Sequence, residues 1–129
     1  MQQVTTEKAP KAVGPYSQAI IHGDVVYCSG QIPLDPETNT LVEGDVTEQT
    51  RQVFKNISVV LEAAGSSLSQ VIKANCYLTN LGDFQKFNEV YDEYLGESKP
   101  ARAAIGVVAL PKGSAVEIEV IAKLTNSSE

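Results

Sequence analysis

The composition of the chain describes one small acidic domain. It has 129 residues, of which 43% are hydrophobic and 20% charged, which suits a single compact core covering residues 1–129. The net charge of -6 disfavours a broad surface for nucleic-acid phosphates or anionic lipids, so an anionic ligand has to meet a local cluster of positive charge.

The sequence shows no membrane or export signal. No apolar run approaches the roughly 20 residues that cross a bilayer, and the segment MQQVTTEKAP lacks the basic and apolar regions of a secretory signal. We therefore expect an intracellular protein that is cytoplasmic, with a mitochondrial location left open.

The first half of the chain predicts two strands and a helix. β-branched and aromatic residues over 16–21 and 25–29 flank a turn at 22–24, which indicates a hairpin. Residues 31–45 predict a loop with a small hairpin at 37–39, since Pro, Asp, Asn and Gly are frequent there. Asp45 and Glu48 form a capping box for a helix ending at Gly65, whose apolar stripe is Val53, Phe54, Ile57, Val60, Leu61 and Ala64.

The second half predicts a strand, a helix and two further strands. Residues 71–79 alternate, with Ile72, Ala74, Cys76 and Leu78 on one face. A second helix runs from Asp83, its N-cap, to Gly96. Two strands joined by a turn at 111–113 close the chain.

The element order ββαβαββ predicts an α+β sandwich with both helices on one face of a mixed sheet. The other face is then bare, and it combines charged with apolar side chains: Val71, Lys73, Asn75, Tyr77, Arg102, Glu117, Glu119 and Ile121. A closed ring of subunits would cover that face in every copy, and clefts between subunits would be natural ligand sites.

The reactive side chains are few. Cys28 and Cys76 lie far apart without a CxxC motif or a neighbouring histidine, so we expect buried free thiols rather than a zinc or redox site. The single histidine, His22, belongs to the predicted turn and is expected to be solvated. We therefore do not expect a catalytic triad or dyad in which histidine is the general base.

A charged group of three residues interrupts the last two strands. The Arg102 guanidinium can bind a ligand carboxylate through two parallel hydrogen bonds, or it can form an ion pair with Glu117 or Glu119, between strands or between subunits. The two glutamates are two residues apart and share a face, so they suit either acid/base chemistry or a solvated, ion-paired surface.

Three further residues have a functional and a structural interpretation. Gly30 follows a strand and either lets a ligand approach backbone N–H groups or forms a bulge. Tyr16 either meets a ligand or packs. Asn88 either joins a site or is an ordinary polar residue of the second helix.

Several segments in order resemble the RidA/YjgF family, and they span nearly the whole chain: GPYSQA (14–19), SGQIP (29–33), EAAG (62–65), KPAR (99–102) and ALPKGSAVEIEVIA (109–122). The resemblance implies a chorismate-mutase-like α+β fold assembled as a homotrimer, with sites in the clefts between subunits. It also implies hydrolysis of 2-imino acids such as 2-iminobutanoate and 2-iminopropanoate to 2-oxo acids and ammonia. No metal or organic cofactor is implied.

The resemblance assigns roles to individual residues. Arg102 would hold the substrate carboxylate, and Glu117 would position and activate the attacking water. Tyr16 would line the pocket, Asn88 would lie near it, and Ser29 and Gly30 would flank the substrate, with Glu119 serving structure.

One position departs from the family pattern. Many members carry a cysteine two residues after the arginine, whereas this chain has Ala104, so only a backbone donor can persist there.

Two other functions are kept as alternatives. The family is also associated with ribonuclease and translation-inhibition activities, although this acidic chain shows no basic stripe with stacking aromatics. The second alternative is a non-enzymatic trimer that binds small carboxylates.

Overall fold

A computed structural model of the chain describes residues 1–125. Six strands form one mixed sheet in the order β1-β2-β3-β6-β4-β5, in which only the β4–β5 pair is parallel. The strands are β1 (Gln2–Val4), β2 (Ala19–His22), β3 (Val25–Cys28), β4 (Val71–Leu78), β5 (Ala101–Gly106) and β6 (Val116–Lys123). The helices α1 (Val46–Ala64) and α2 (Phe84–Leu95) pack on one face, which confirms the α+β architecture.

Helix α1 begins and ends where its sequence signals place it. The Asp45 side chain accepts the Thr47 N–H at 2.9 Å, and the Glu48 carboxylate accepts the Asp45 N–H at 3.1 Å, so the capping box is confirmed. Gly65 ends the helix with a left-handed φ of 86°, which glycine adopts without steric cost. The predicted apolar stripe is buried throughout: Val53, Phe54, Ile57, Val60, Leu61 and Ala64.

The side chains of the central strand β6 alternate between the core and the opposite face of the sheet. Its even-numbered residues Val116 to Ala122 are buried under the helices, while Glu117, Glu119 and Ile121 are half-buried on the opposite face. Alternation of this kind follows from the two-residue period of a strand. The two glutamates therefore share the face that the helices leave bare.

Strand β5 lies at the edge of the sheet, and its register corrects the predicted place of Arg102. It pairs with β4 and not with β6, so the last two strands are not neighbours, because β4 lies between them. The register places Arg102 beside Ala74, whose side chain is buried on the helix face. Arg102 therefore projects to the helix side, and its predicted place on the bare face was wrong.

Other differences lie at the ends of elements. The structure adds β1, a three-residue strand that pairs antiparallel with β2, and β2 begins at Ala19 rather than at residue 16. A register shift between Val71 and Lys73 reverses the start of β4, so that Val71 is buried and Ile72 is 49% exposed, opposite to the prediction. The hairpin expected at 37–39 is reduced to one bridge between Leu34 and Leu41.

Helix α2 differs at its start. Asp83 makes no capping hydrogen bond with its side chain. Instead, Asn80 accepts the Gly82 N–H at 2.9 Å and leads through a 3-10 turn into the helix.

Candidate functional site

A cavity of about 610 Å³ opens beside Glu117 on the bare face of the sheet. Strand β6 directs the Glu117 side chain outward, and the segment after β3 crosses next to it. Gln31 and Ile118 exchange two backbone hydrogen bonds, of 2.8 and 3.1 Å, which fix this crossing. The residues around the cavity are Pro10, Lys11, Val13, Tyr16, Gln18, Ser29, Gly30, Gln31, Ile32, Leu34, Asn39, Pro111, Lys112, Glu117 and Glu119.

Limited space, rather than a special backbone conformation, favours glycine at position 30. A Cβ atom at this position would lie 3.0 Å from Cδ of Glu117 and 3.3 Å from its Cγ, closer than ordinary packing permits. The missing side chain lets the Glu117 carboxylate lie against the backbone. Among residues 1–125, the Gly30 N–H itself has no hydrogen-bond acceptor.

The two glutamates have different surroundings. The Glu119 carboxylate accepts hydrogen bonds from the Tyr77 hydroxyl at 2.8 Å and from the Asn75 amide at 3.2 Å. The bond to Glu119, together with burial, raises the pKa of Tyr77 to about 12. Glu119 is therefore held on the sheet by its neighbours.

The Glu117 carboxylate, in contrast, has no hydrogen-bond partner within residues 1–125. Burial raises the pKa of the Glu117 carboxyl above its usual range, and the negative charge of Glu119 adds to the effect. A carboxyl with a raised pKa that faces a cavity is suited to exchange protons with a ligand.

The N-terminal segment completes the wall of the cavity. The buried Gln18 amide donates to the Pro10 carbonyl at 2.8 Å and to the Thr6 carbonyl at 3.1 Å. Ser29 Oγ donates to the Ser17 carbonyl at 2.6 Å. The sequence prediction did not include Gln18, although it stands inside the conspicuous GPYSQA segment.

Tyr16 is 51% exposed at the rim of the cavity, and its hydroxyl accepts the Val13 N–H at 3.4 Å. Its ring is therefore free to contact a ligand, as the functional interpretation requires.

Arg102 occupies a second, separate cavity of about 290 Å³ at the edge of the sheet. Its Nη1 donates to Asn88 Oδ1 at 2.6 Å, and its guanidinium carbon lies 4.7 Å from the ring centre of Tyr91 and 5.6 Å from that of Phe84. No carboxylate lies within 4.0 Å of it in residues 1–125, so the pairing with Glu117 or Glu119 predicted as one alternative is not formed within one chain.

One chain thus brings the predicted residues together in two groups. Tyr16, Ser29, Gly30 and Glu117 surround the larger cavity, and Asn88 and Arg102 line the smaller one. The two groups lie on opposite faces of the sheet. Ala104 shares the helix-side face with Arg102 and packs half-buried against the core.

Strained backbone marks both cavities. Within residues 1–125, three non-glycine residues have positive φ: Asn39 (60°) and Lys112 (57°) line the larger cavity, and Lys99 (49°) lines the smaller. This conformation costs roughly 1–2 kcal/mol for an ordinary residue, so its confinement to these walls points to a constraint there. The sequence carries no clear signal of it beyond the neighbouring prolines.

The remaining reactive groups lie apart from these cavities. Burial raises the pKa of both thiols, Cys28 and Cys76, to about 12, and His22 is exposed at the end of β2. Across residues 1–125, no cluster of three or more His, Cys, Asp or Glu side chains could hold a metal ion. None of the helices in that range has the length and apolar character to cross a membrane.

Comparisons with known proteins agree with this architecture. The family model described as "Endoribonuclease L-PSP" matches residues 6–124. A RutC family protein of Pyrococcus abyssi is 56% identical over 119 residues, 92% of this chain and 94% of that protein. The human 2-iminobutanoate/2-iminopropanoate deaminase is 46% identical over 119 residues, 92% of this chain and 87% of that protein.

The solved structure of RidA from an Antarctic Psychrobacter bacterium has a TM-score of 0.92 at 53% identity, covering 96% of this chain and 100% of that one. The fold and the sequence therefore place the chain in a class of small α+β proteins that have two helices on one face of a mixed sheet. The chain belongs to the RidA/YjgF family.

Proposed function

We propose that the protein hydrolyses reactive 2-imino acids, such as 2-iminobutanoate and 2-iminopropanoate, to 2-oxo acids and ammonia. The observation that carries the proposal is the pair of complementary groups in the two cavities. One is a guanidinium without a carboxylate partner, and the other is a half-buried carboxyl with a raised pKa. The name of the human relative supports this reaction.

The site is completed between two copies of the chain. Arg102 and Glu117 lie on opposite faces of one sheet, so a small substrate cannot reach both within a single chain. The bare face of β4 and β6, continued by the exposed edge residues Ile105 and Val108, is apolar enough to need cover. In a homotrimer, the sheet edge with Arg102 of one copy would lie against the Glu117 cavity of the next. Because a ring of three subunits is closed, every copy would have this contact.

The reaction requires little beyond orientation and proton transfer. Arg102 binds the carboxylate of the imino acid through its remaining N–H groups and presents C2 to water. The imino acid reacts in its protonated form. Glu117 takes a proton from the water as its oxygen bonds to C2 and the C=N electron pair moves to nitrogen, which gives a neutral tetrahedral amino alcohol. Glu117 then gives that proton to the amino nitrogen, and as the C–N bond breaks and ammonia leaves, the hydroxyl proton passes back to Glu117 and the 2-oxo group forms; ammonia finally takes this proton and leaves as ammonium.

Neighbouring groups would assist this sequence. The unpaired Gly30 N–H offers a donor for charge that develops on the substrate, and Ser29 holds the same loop. Tyr16 would close the open side of the cavity. Ala104 contributes at most its backbone, and no metal or organic cofactor takes part in the proposed steps.

Exchange of Arg102 for Ala tests the proposal directly. The variant should lose accelerated hydrolysis of imines made in situ by a pyridoxal-phosphate-dependent dehydratase. Glu117→Gln should lose it as well while retaining carboxylate binding. Wild-type rates in either variant would contradict the assigned role.

Mixing the two variants tests the shared site. Refolding Arg102→Ala and Glu117→Gln chains together in equal amounts should restore activity at about a quarter of the sites, since each mixed trimer holds one intact pair in three. Sites contained within one chain would give no recovery.

The alternative of a binding protein without catalysis predicts a different result. A trimer that only binds small carboxylates needs Arg102 but not Glu117 chemistry. Binding of 2-oxobutanoate by the wild type, with no acceleration of imine hydrolysis above the spontaneous rate, would therefore favour it over the deaminase.

The family model's description also names an endoribonuclease. The larger cavity offers no histidine, since the chain has one and it lies at the β2–β3 turn. RNA cleavage that survives Arg102→Ala and falls with ionic strength would support this second function. We place the protein in the cytoplasm, where the dehydratases that release imines would supply the substrate.

A further inference from the structure

One face of α2 forms a cradle for Arg102. Phe84, Asn88 and Tyr91 stand at positions i, i+4 and i+7 of the helix and so lie on the same side. The guanidinium carbon is 4.7 Å from the Tyr91 ring centre and 5.6 Å from the Phe84 ring centre, while Asn88 accepts one hydrogen bond at 2.6 Å. The guanidinium therefore has two aromatic contacts and one fixed hydrogen bond.

None of these three partners carries a charge, and in this respect Arg102 differs from Arg51 of α1. The guanidinium of Arg51 donates to both carboxylate oxygens of Glu93, so its charge is already paired. Arg102 has no such acceptor among residues 1–125. An aromatic face attracts and orients a cation without neutralising it, so the charge stays available to an incoming anion.

We propose that Tyr91, assisted by Phe84, is a positioning residue that holds the Arg102 guanidinium ready for a substrate carboxylate. The inference rests on the proposed function and concerns how the carboxylate is bound. Tyr91 is 7% exposed and its ring also contacts Phe54 and Phe87, so the platform under Arg102 is anchored in the core. With Nη1 directed to Asn88, the other N–H groups of the guanidinium remain free to bind a carboxylate.

The test compares removal of the ring with removal of the hydroxyl. Tyr91→Leu should weaken binding of 2-oxobutanoate, measured by calorimetry, about five- to tenfold, because a partly desolvated cation–π contact is lost. KM for the imine should rise by the same factor with kcat little changed. Tyr91→Phe keeps the ring and should bind within about twofold of the wild type.

Tyr94→Leu is the matched control. Tyr94 lies on the same helix and stacks on Phe54 at 4.8 Å, so its loss loosens α2 without removing a contact to Arg102. Phe84→Leu is a second variant, expected to weaken binding in the same direction but less, because its ring is farther from the guanidinium. It keeps the test open if Tyr91→Leu does not fold.

Three outcomes would overturn the inference: wild-type binding in both Tyr91→Leu and Phe84→Leu, equal weakening by Tyr94→Leu, or equal weakening by Tyr91→Phe. If the wild type binds 2-oxobutanoate but does not hydrolyse the imine, only the proposed function is contradicted. The affinities of the variants relative to the wild type then still test the role of Tyr91. A wild type that does not bind the carboxylate contradicts both.

Discussion

Exchange of Gly30 for Ala should damage catalysis while leaving the fold almost unchanged. The added Cβ would lie 3.0 Å from Cδ of Glu117, so the carboxylate has to move aside. The φ angle of Gly30 is not in the left-handed region, and the atoms that must move belong to a flexible side chain, so the free energy of unfolding should change by less than about 1 kcal/mol. A displacement of about 1 Å at a catalytic group costs roughly 100-fold in rate, or about 2.7 kcal/mol of transition-state stabilisation.

The assay follows 2-oxobutanoate formed from imine that a dehydratase releases from threonine, with spontaneous hydrolysis subtracted. Gly82→Ala is the control at a glycine outside the site, because its Cβ would also meet a side-chain oxygen, Asn80 Oδ1 at 3.0 Å, in a milder contact in the turn before α2. It should retain wild-type turnover. If Gly30→Ala keeps the wild-type rate while Glu117→Gln loses it, catalysis does not depend on the close approach of Gly30 to the Glu117 carboxylate.

Three further substitutions probe stability by urea unfolding. The pKa of Glu117 is raised in the folded protein, so its contribution to stability falls as the pH rises above 4.5, the ordinary pKa of a glutamate. The free energy of unfolding gained by Glu117→Gln should therefore increase with pH. A gain that does not change with pH would contradict the raised pKa. Asp45→Ala removes the N-cap of α1 and should cost about 1 kcal/mol, which an unchanged midpoint would refute. Tyr91→Phe removes a buried hydroxyl that has no partner in residues 1–125 and should stabilise by about 1 kcal/mol, whereas a loss would reveal a partner in the assembly.

Local patterns predicted the helices and the central strands. The capping box and apolar stripe of α1 follow from Asp45, Glu48 and a 3.6-residue period, and both are present. β1 could not be predicted, because only Val4 of its three residues is buried and no alternation is visible in so short a strand. The irregularity at the start of β4 also has no local signal, since it depends on pairing with β6.

Non-local pairing explains why the site was only partly predicted. The sequence identified Arg102 and Glu117 but placed them on one face, because the face of β5 is set by its parallel register with β4 rather than by its own residues. The aromatic partners of Arg102, Phe84 and Tyr91, also pack in or against the core. Their spacing along α2 with Asn88 is visible in the sequence, but which strand they face is not.

The two buried thiols make the strand that carries Glu117 accessible to a simple chemical measurement. Cys28 lies on β3 and Cys76 on β4, the two strands that flank β6, and with pKa values of about 12 neither forms appreciable thiolate at neutral pH. Because both side chains are buried, opening of the structure beside β6 should speed their alkylation by iodoacetamide. The native chain therefore needs no added label, and the modification rates of its two cysteines compare the opening of the sheet on either side of that strand.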